Sequence, residues 1–202
     1  LLLDYLKIKP DYSFSKFTPP PGRCNLFKGI KNTTIIDSSY NATPSGLRSI
    51  LEMFDLYPSD KKWLVLGDMI ELGNEEQEEH EKLADLIASM KFEKVILVGP
   101  RVLKHAYPKL IASDTLKTPR RWQAESHDSS EVDSKDKIQP FLMPKAALDY
   151  LLNNLKGREV VLFKGARFLE GIIEHLLIDK SDVNKLARRE KVWQERRKKW
   201  GL

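Results

Sequence analysis

Short apolar runs that stop at a glycine or a polar loop, each followed by apolar residues at helical spacing, leave this chain few folds to choose from. Residues 33–37 form one such run; after the polar loop 38–43, Pro44 stands in the favoured first helical position behind Thr43, and Leu47, Ile50, Leu51 and Phe54 recur on one helical face. Residues 63–66 repeat the pattern and end at Gly67 and Asp68; Asn74 and Gln77 form a capping pair for a helix whose stripe is Leu83, Leu86, Ile87 and Met90. Residues 94–98 end at Gly99 and Pro100 before a helix over 102–111. The last units are a short strand at Phe141 and Leu142, a helix over 146–155, a strand over 159–164 and a helix over 168–177. Alternation of this kind predicts an α/β, Rossmann-like fold: a mostly parallel sheet with helices on both faces. Residues 24–28 and 33–37, with 29–32 between them, read as a hairpin that adds an antiparallel edge strand. Ligands of such sheets bind beyond the carboxyl ends of the strands, which here are the loops 37–43, 67–73, 99–101 and 164–167.

With 202 residues, 41% of them hydrophobic, the chain can bury one substantial core with appendages. Residues 1–21 begin with Leu1, Leu2 and Leu3 and carry Pro10, Pro19, Pro20 and Pro21, and they read as the end of an upstream helix and an extended connector. The domain proper is expected at 22–180. It contains a polar stretch, 113–137, with too little apolar content to pack, which reads as a mobile insertion. The net charge of +5 is concentrated in a basic helical tail, 181–202, which contains Arg188, Arg189, Lys191, Arg196, Arg197, Lys198 and Lys199. Such a run is more often a solvated face than a nucleic-acid site, and no nucleic-acid partner is expected. Val183, Leu186, Trp193 and Trp200 give it a narrow apolar stripe, enough to dock on the domain or on a partner. No signal-peptide pattern and no transmembrane run is present, and the lone Cys24 cannot make an internal disulfide, so a cytoplasmic setting is expected.

Neither a phosphate-cradling G-x-x-x-x-G-K-[ST] nor a G-x-G-x-x-G after a strand occurs. His80, His105, His127 and His175 lack metal-ligand spacing, no nucleophile elbow is found, and no residue is assigned as catalytic. Four strings carry chemistry at the strand ends. Gly22 and Arg23 follow the proline connector, where a planar guanidinium suits a phosphate held by a neighbouring domain or is simply a surface arginine. Asp37, Ser38, Ser39, Tyr40 and Asn41 gather carboxylate, hydroxyl and amide groups, which also serve turns and caps. Asp68 and Glu71 place two carboxylates in one loop; His80, on the face of Leu83 and Ile87, reads as a packed histidine rather than a catalytic one. Lys164, Gly165, Ala166 and Arg167 set two cations around small residues, an arrangement suited to a carboxylate or phosphate.

Together, G-R, D-x-S-Y-N-A-x-P, L-G-D-M-x-E-L-G with a following histidine, V-G-P and K-G-x-R resemble the C-terminal domain of the Mur ligases over about residues 20–178. Within that family the strings sit nearest to members that join D-alanyl-D-alanine to a UDP-linked muramoyl tripeptide. The resemblance implies an ATP-dependent ligase of peptidoglycan precursor synthesis that works through an acyl phosphate. ATP and Mg2+ would be bound mainly by a central domain, of which 1–21 is the end. The partners implied are the UDP-muramoyl peptide, D-alanyl-D-alanine and the rest of the same protein. By the same carry-over, Arg23, Asp37 and Ser38 face the nucleotide; Ser39, Tyr40, Asn41, Lys164, Gly165, Ala166 and Arg167 face the incoming substrate; and Asp68, Glu71 and His80 support the site. The family pattern has two aspartates before S-Y-N, and here the second is Ser38. Asp37 substitutes with shifted geometry, Ser38 gives a weaker hydrogen bond, or nucleotide contact is reduced. A non-catalytic Mur-like binding module and a folylpolyglutamate synthase type of ligase are the alternative readings.

Overall fold

In the computed structural model, residues 2–9, 13, 15, 17–117, 137–166 and 168–202 are described. A short helix α1 (Leu2–Tyr5) precedes the connector, and the hairpin follows as β1 (Asn25–Gly29) and β2 (Thr33–Ser38), paired antiparallel from Asn25 opposite Asp37 to Gly29 opposite Thr33. The other elements are α2 (Pro44–Asp55), β3 (Lys62–Gly67), α3 (Glu76–Ser89), β4 (Lys94–Val98), α4 (Tyr107–Lys117), β5 (Ile138–Phe141), α5 (Pro144–Asn154), β6 (Val160–Lys164), α6 (Leu169–Leu176) and α7 (Lys191–Lys198). The sheet order is β1-β2-β6-β3-β4-β5, and every pairing except the first is parallel. Late-arriving β6 lies between β2 and β3, so three separate stretches of sequence deliver their carboxyl ends side by side.

The period of two along the strands sorts side chains between two apolar layers. Leu64 and Leu66 of β3 face one way, with Ile36, Leu97 and Leu162, against Leu47, Leu51 and Phe54 of α2 and Leu83 and Ile87 of α3. Trp63 and Val65 face the other way, with Ile35, Ile96, Val161 and Phe163, against Leu148 and Leu151 of α5 and Ile172, Ile173 and Leu176 of α6. Each fully buried side chain of this size contributes about 1.5–3 kcal/mol. Strands buried on both faces need continuous apolar runs, and β3, β4 and β6 supply them.

Several boundaries differ from expectation. Thr43 caps α2, its Oγ1 accepting from the Gly46 N–H at 3.2 Å. The Asn74 and Gln77 pair does not cap α3: Gly73, at φ 56°, opens a 3-10 turn over Gly73–Glu75, so Asn74 lies inside that turn and the helix starts at Glu76. The segment after β4 begins as a π-helical turn (Val102–Ala106) and continues as α4 to Lys117, past the expected end at 111 and into the proposed insertion. The rest of the insertion reading, 118–136, lies outside the described residues. The strand placed at Phe141 and Leu142 is instead Ile138–Phe141, because Ile138 is buried and pairs with Val95 while Leu142 is exposed. Pro140 is tolerated there because β5 is the last strand of the sheet, with no neighbour on one side among the described residues.

The tail also departs from a continuous, solvated helix. It runs as a 3-10 segment (Lys180–Lys185), an extended stretch, and then α7. Leu186 is buried in the layer under α5 and α6, with Val183 and Leu202 packed against that layer. The rings of Trp193 and Trp200 lie 6.3 and 6.2 Å from that of Phe168. The apolar stripe is thus used, and the partner is the domain itself.

Candidate functional site

The carboxyl ends of β2, β3 and β6 form one rim, and the sequence strings interlock there in pairs. Ser38 and Lys164 are register partners across β2 and β6, and Lys164 faces Leu66 on its other side. Gly22, at φ +72°, packs so closely on Tyr40 that a Cβ would sit 3.0 Å from its backbone nitrogen; the Tyr40 N–H donates to the Gly22 carbonyl at 3.1 Å. Arg23 therefore follows onto the rim, its guanidinium 4.7 Å from the Tyr40 ring centre. A Cβ on Gly67 would fall 2.0 Å from the Ala166 carbonyl oxygen, and one on Gly165, at φ +121°, 2.5 Å from that of Gly67. Only glycine lets these two backbones meet. The Ala166 N–H then donates to the Asp68 carbonyl at 3.0 Å.

Asp37 is fully buried, and its Oδ1 accepts from the Ser39 N–H at 3.0 Å and the Ser39 hydroxyl at 2.6 Å. Its Oδ2 has no hydrogen-bond partner, and burial pushes the carboxyl above its ordinary pKa of 3.8, partly countered by the two Ser39 bonds. Lys164 is buried too; its ammonium donates to Ser38 Oγ at 3.4 Å, and burial lowers its pKa. Ser38 and Asp37 thus form the floor of the rim, while Tyr40 and Asn41 stand exposed above it.

Asp68 and His80 are used inside the fold. Both are fully buried. Asp68 Oδ1 accepts from the backbone N–H groups of Arg101 and Val102, each at 3.0 Å, so it caps the segment after β4 where the dipole favours an anion. That links the V-G-P string to the L-G-D string. His80 Nε2 accepts from the Met69 N–H at 3.3 Å, and its Nδ1 therefore donates to the Glu76 carbonyl at 2.6 Å. Burial keeps the ring neutral by lowering its pKa. The histidine holds the loop 67–73 from beneath, while Glu71, in the left-handed region at φ 65°, is exposed at the rim. Arg167 lies outside the described residues.

A cavity of about 460 Å³ opens on this rim, lined by Tyr40, Asn41, Ile70, Glu71 and Ala166 and, from the tail, by Arg188, Glu190 and Trp193. The tail residues were not among the expected site residues. Arg188 donates to the Ser39 carbonyl at 3.4 Å and to the Tyr40 carbonyl at 2.5 Å, and it meets the buried Glu170 at 3.4 Å. Arg197 lies 3.7 Å from the other Glu170 oxygen and donates to the Arg188 carbonyl at 2.8 Å. Burial raises the Glu170 pKa above its ordinary 4.5, and Arg188 is the largest opposing influence. The one signal in the sequence was a glutamate inside an apolar helix stripe, which requires a cationic partner.

Among the described residues no group of three or more His, Cys, Asp or Glu is placed to hold a metal ion. Nor is any helix among them long and apolar enough to cross a membrane. Arg23 does fit a phosphate oxygen: it is exposed, positioned by Gly22, and backed by an aromatic ring.

Comparison with known proteins places these features in context. Residues 22–167 match the model of the family "Mur ligase, glutamate ligase domain". The UDP-N-acetylmuramoyl-tripeptide--D-alanyl-D-alanine ligase of Bacillus subtilis is 28% identical over 158 residues, covering 77% of this chain and 30% of the relative. The enzyme of that name from Borreliella burgdorferi is 34% identical over 135 residues, covering 66% of this chain and 24% of the relative. The chain thus spans less than a third of the length of these relatives. Among solved structures, MurF ligase from Thermotoga maritima in complex with ADP superposes with a TM-score of 0.63 at 23% identity, over 91% of this chain and 36% of that one. At that identity the likeness bears on the fold alone, as does MurF from Acinetobacter baumannii at a TM-score of 0.57 and 23% identity, over 82% of this chain and 31% of that one.

Proposed function

Because the chain belongs to the Mur ligase family, whose members are ATP-dependent ligases, we propose that it is the substrate-delivering domain of a ligase that joins D-alanyl-D-alanine to UDP-N-acetylmuramoyl tripeptide. The carboxylate of the UDP-linked peptide is activated as an acyl phosphate, and the amine displaces phosphate to form the amide. ATP and magnesium bind mainly on a central domain contributed by other parts of the protein, with residues 1–21 leading out of that domain. The observation that carries this reading is the interlocking of the five strings on one rim, where the Asp37–Asn41 loop, Gly67–Asp68 and Lys164–Ala166 meet. The names of the Bacillus and Borreliella relatives support the choice of substrates.

The residues divide the work. Arg23 reaches a nucleotide phosphate across the interdomain cleft, where a planar fork pairs with phosphate oxygens. Asp37 and Ser38 act from below: Asp37 stiffens the turn through Ser39, and Ser38 holds the Lys164 ammonium. Tyr40 and Asn41 face the incoming substrate, while Lys164, Gly165, Ala166 and Arg167 receive the dipeptide carboxylate. Asp68, Glu71 and His80 fix the facing loop. Positioning of the amine and stabilisation of phosphoryl charge supply most of the barrier reduction in such a reaction. The 202 residues by themselves are expected to show no magnesium-dependent ATP hydrolysis; turnover by the isolated chain would overturn the division of labour.

A further inference from the structure

Two guanidiniums meet the Tyr40 ring, and one of them, from the tail, lies beyond the family match at residues 22–167. Arg23 stands 4.7 Å from the ring centre and Arg188 5.4 Å. Backbone contacts continue the link in both directions. The Tyr40 N–H donates to the carbonyl of Gly22, the neighbour of Arg23, while Arg188 donates to the Tyr40 carbonyl at 2.5 Å and to the Ser39 carbonyl at 3.4 Å. A continuous path therefore joins Arg188, Tyr40, Gly22 and Arg23, although Arg188 is 148 positions from Tyr40 in sequence.

The tail end of this path is fixed more firmly than the stowing of a segment requires. Arg188 meets the fully buried Glu170 at 3.4 Å, and Arg197 lies 3.7 Å from the other Glu170 oxygen while donating to the Arg188 carbonyl at 2.8 Å. Side chain and backbone of Arg188 are thus both anchored, and the backbone is held at a left-handed φ of 56°, where an L side chain is strained. Gly171, next to Glu170, completes the seat: a Cβ there would fall 2.8 Å from Arg197 Cδ and from Leu202 Cδ1. The two ends of the path differ in charge balance. Glu170 and two carbonyls occupy Arg188, whereas Arg23 is exposed on the rim and has no carboxylate partner among the described residues. Arg188 is spent inward, and Arg23 is left for a ligand.

We propose that Arg188 is a positioning residue: acting through Tyr40, it sets where the Arg23 guanidinium stands on the rim, so that the tail takes part in presenting a cation to a phosphate. That the phosphate belongs to a nucleotide rests on the ligase reading; the link between Arg188 and Arg23 does not. A planar guanidinium pairs with phosphate oxygens in few orientations, so restricting Arg23 beforehand favours binding without adding a contact to the ligand. Arg188→Lys keeps a charge beside Glu170 but removes the planar fork that spans the Ser39 and Tyr40 carbonyls. It therefore loosens the link while leaving the buried carboxylate paired.

The test has two readouts. In the 15N-labelled chain, Arg188→Lys should move the Arg23 Nε–Hε resonance toward that of a freely solvated arginine, together with the 22–23 and 39–41 amides, while the α2 and β4 amides stay in place. Tyr40→Leu, which breaks the path but leaves Glu170 and its partners intact, should move the Arg23 resonance in the same direction. In the protein that carries this chain, Arg188→Lys should raise the KM for ATP several-fold without changing that for the UDP-linked peptide, and Arg23→Ala should raise it at least as much. The double variant should be no worse than Arg23→Ala, because one residue acts through the other. Effects that multiply, a KM for ATP that does not respond to Arg188→Lys, or an Arg23 resonance that ignores it would each overturn the inference. A parent protein without ATP-dependent turnover, whose Arg23 resonance still follows Arg188→Lys, would remove the ligase reading and sustain the link.

Discussion

The two faces of the sheet are built on opposite terms. Under α2, α3 and α4 the layer is apolar, with His80 as a satisfied polar insertion. Under α5 and α6 the layer is completed by the tail, and the junction contains Glu170, Arg188 and Arg197 in place of further apolar side chains. A buried ion pair often stabilises no more than a hydrophobic replacement would, yet it fixes one geometry. The first face therefore holds the domain together, and the second holds a particular segment at a particular place on the rim.

Cutting into the first face should have the largest effect. Phe54→Ala removes a fully buried ring stacked 6.0 Å from Phe92 and should lower stability by about 3–5 kcal/mol, read by denaturant unfolding with the tail still docked until global unfolding. On the second face, Glu170→Ala should cost less, about 1–3 kcal/mol, because the burial penalty of the carboxylate disappears, Arg188 is 20% exposed and can turn to water, and the buried Arg197 keeps the Arg188 carbonyl as an acceptor. Its distinguishing sign is local: trypsin should cut at Arg188, Arg189 or Arg197 well before the α2 and α3 amides lose exchange protection. Equal loosening of both faces would erase the contrast. Thr43→Ala, which removes the cap of α2, should cost about 1 kcal/mol and leave proteolysis of the tail unchanged.

The smallest effect at neutral pH concerns His80. Its folded pKa lies below the ordinary 6.5, so the unfolded chain binds the proton more readily, and stability contributed by the neutral ring falls as pH drops below about 6.5 toward the folded value. Asp37 and Glu170 act in the opposite sense, since their folded pKa values are raised and their protonation at lower pH favours the native state. His80→Gln should flatten the loss below 6.5; an unchanged pH profile would show that the ring is not the titrating group.

The α/β class, the antiparallel edge and the strand–loop–helix units were readable because continuous apolar runs and the Thr43–Pro44 signal are local. The interlocking of Gly67 with Gly165 and Ala166 was not, because it depends on β6 inserting between β2 and β3, an order that no local pattern encodes. His80 was readable as a packed residue from its place on the Leu83 face, but the Met69 N–H that it holds was not. The path of the tail is not legible in its helical periodicity, which runs on through 186–190, where Leu186 is extended and Arg188 left-handed. Its arginines looked solvated since their partners, Glu170 and Glu174, lie on another helix.

The measurement that bears most directly on the proposed ligase activity uses the protein that carries this chain, with ATP, magnesium and UDP-N-acetylmuramoyl tripeptide, following phosphate release with and without D-alanyl-D-alanine. Release that depends on the dipeptide, with the pentapeptide product seen by mass spectrometry, is the predicted result. A folded, nucleotide-binding protein that releases no phosphate with the dipeptide present would contradict it.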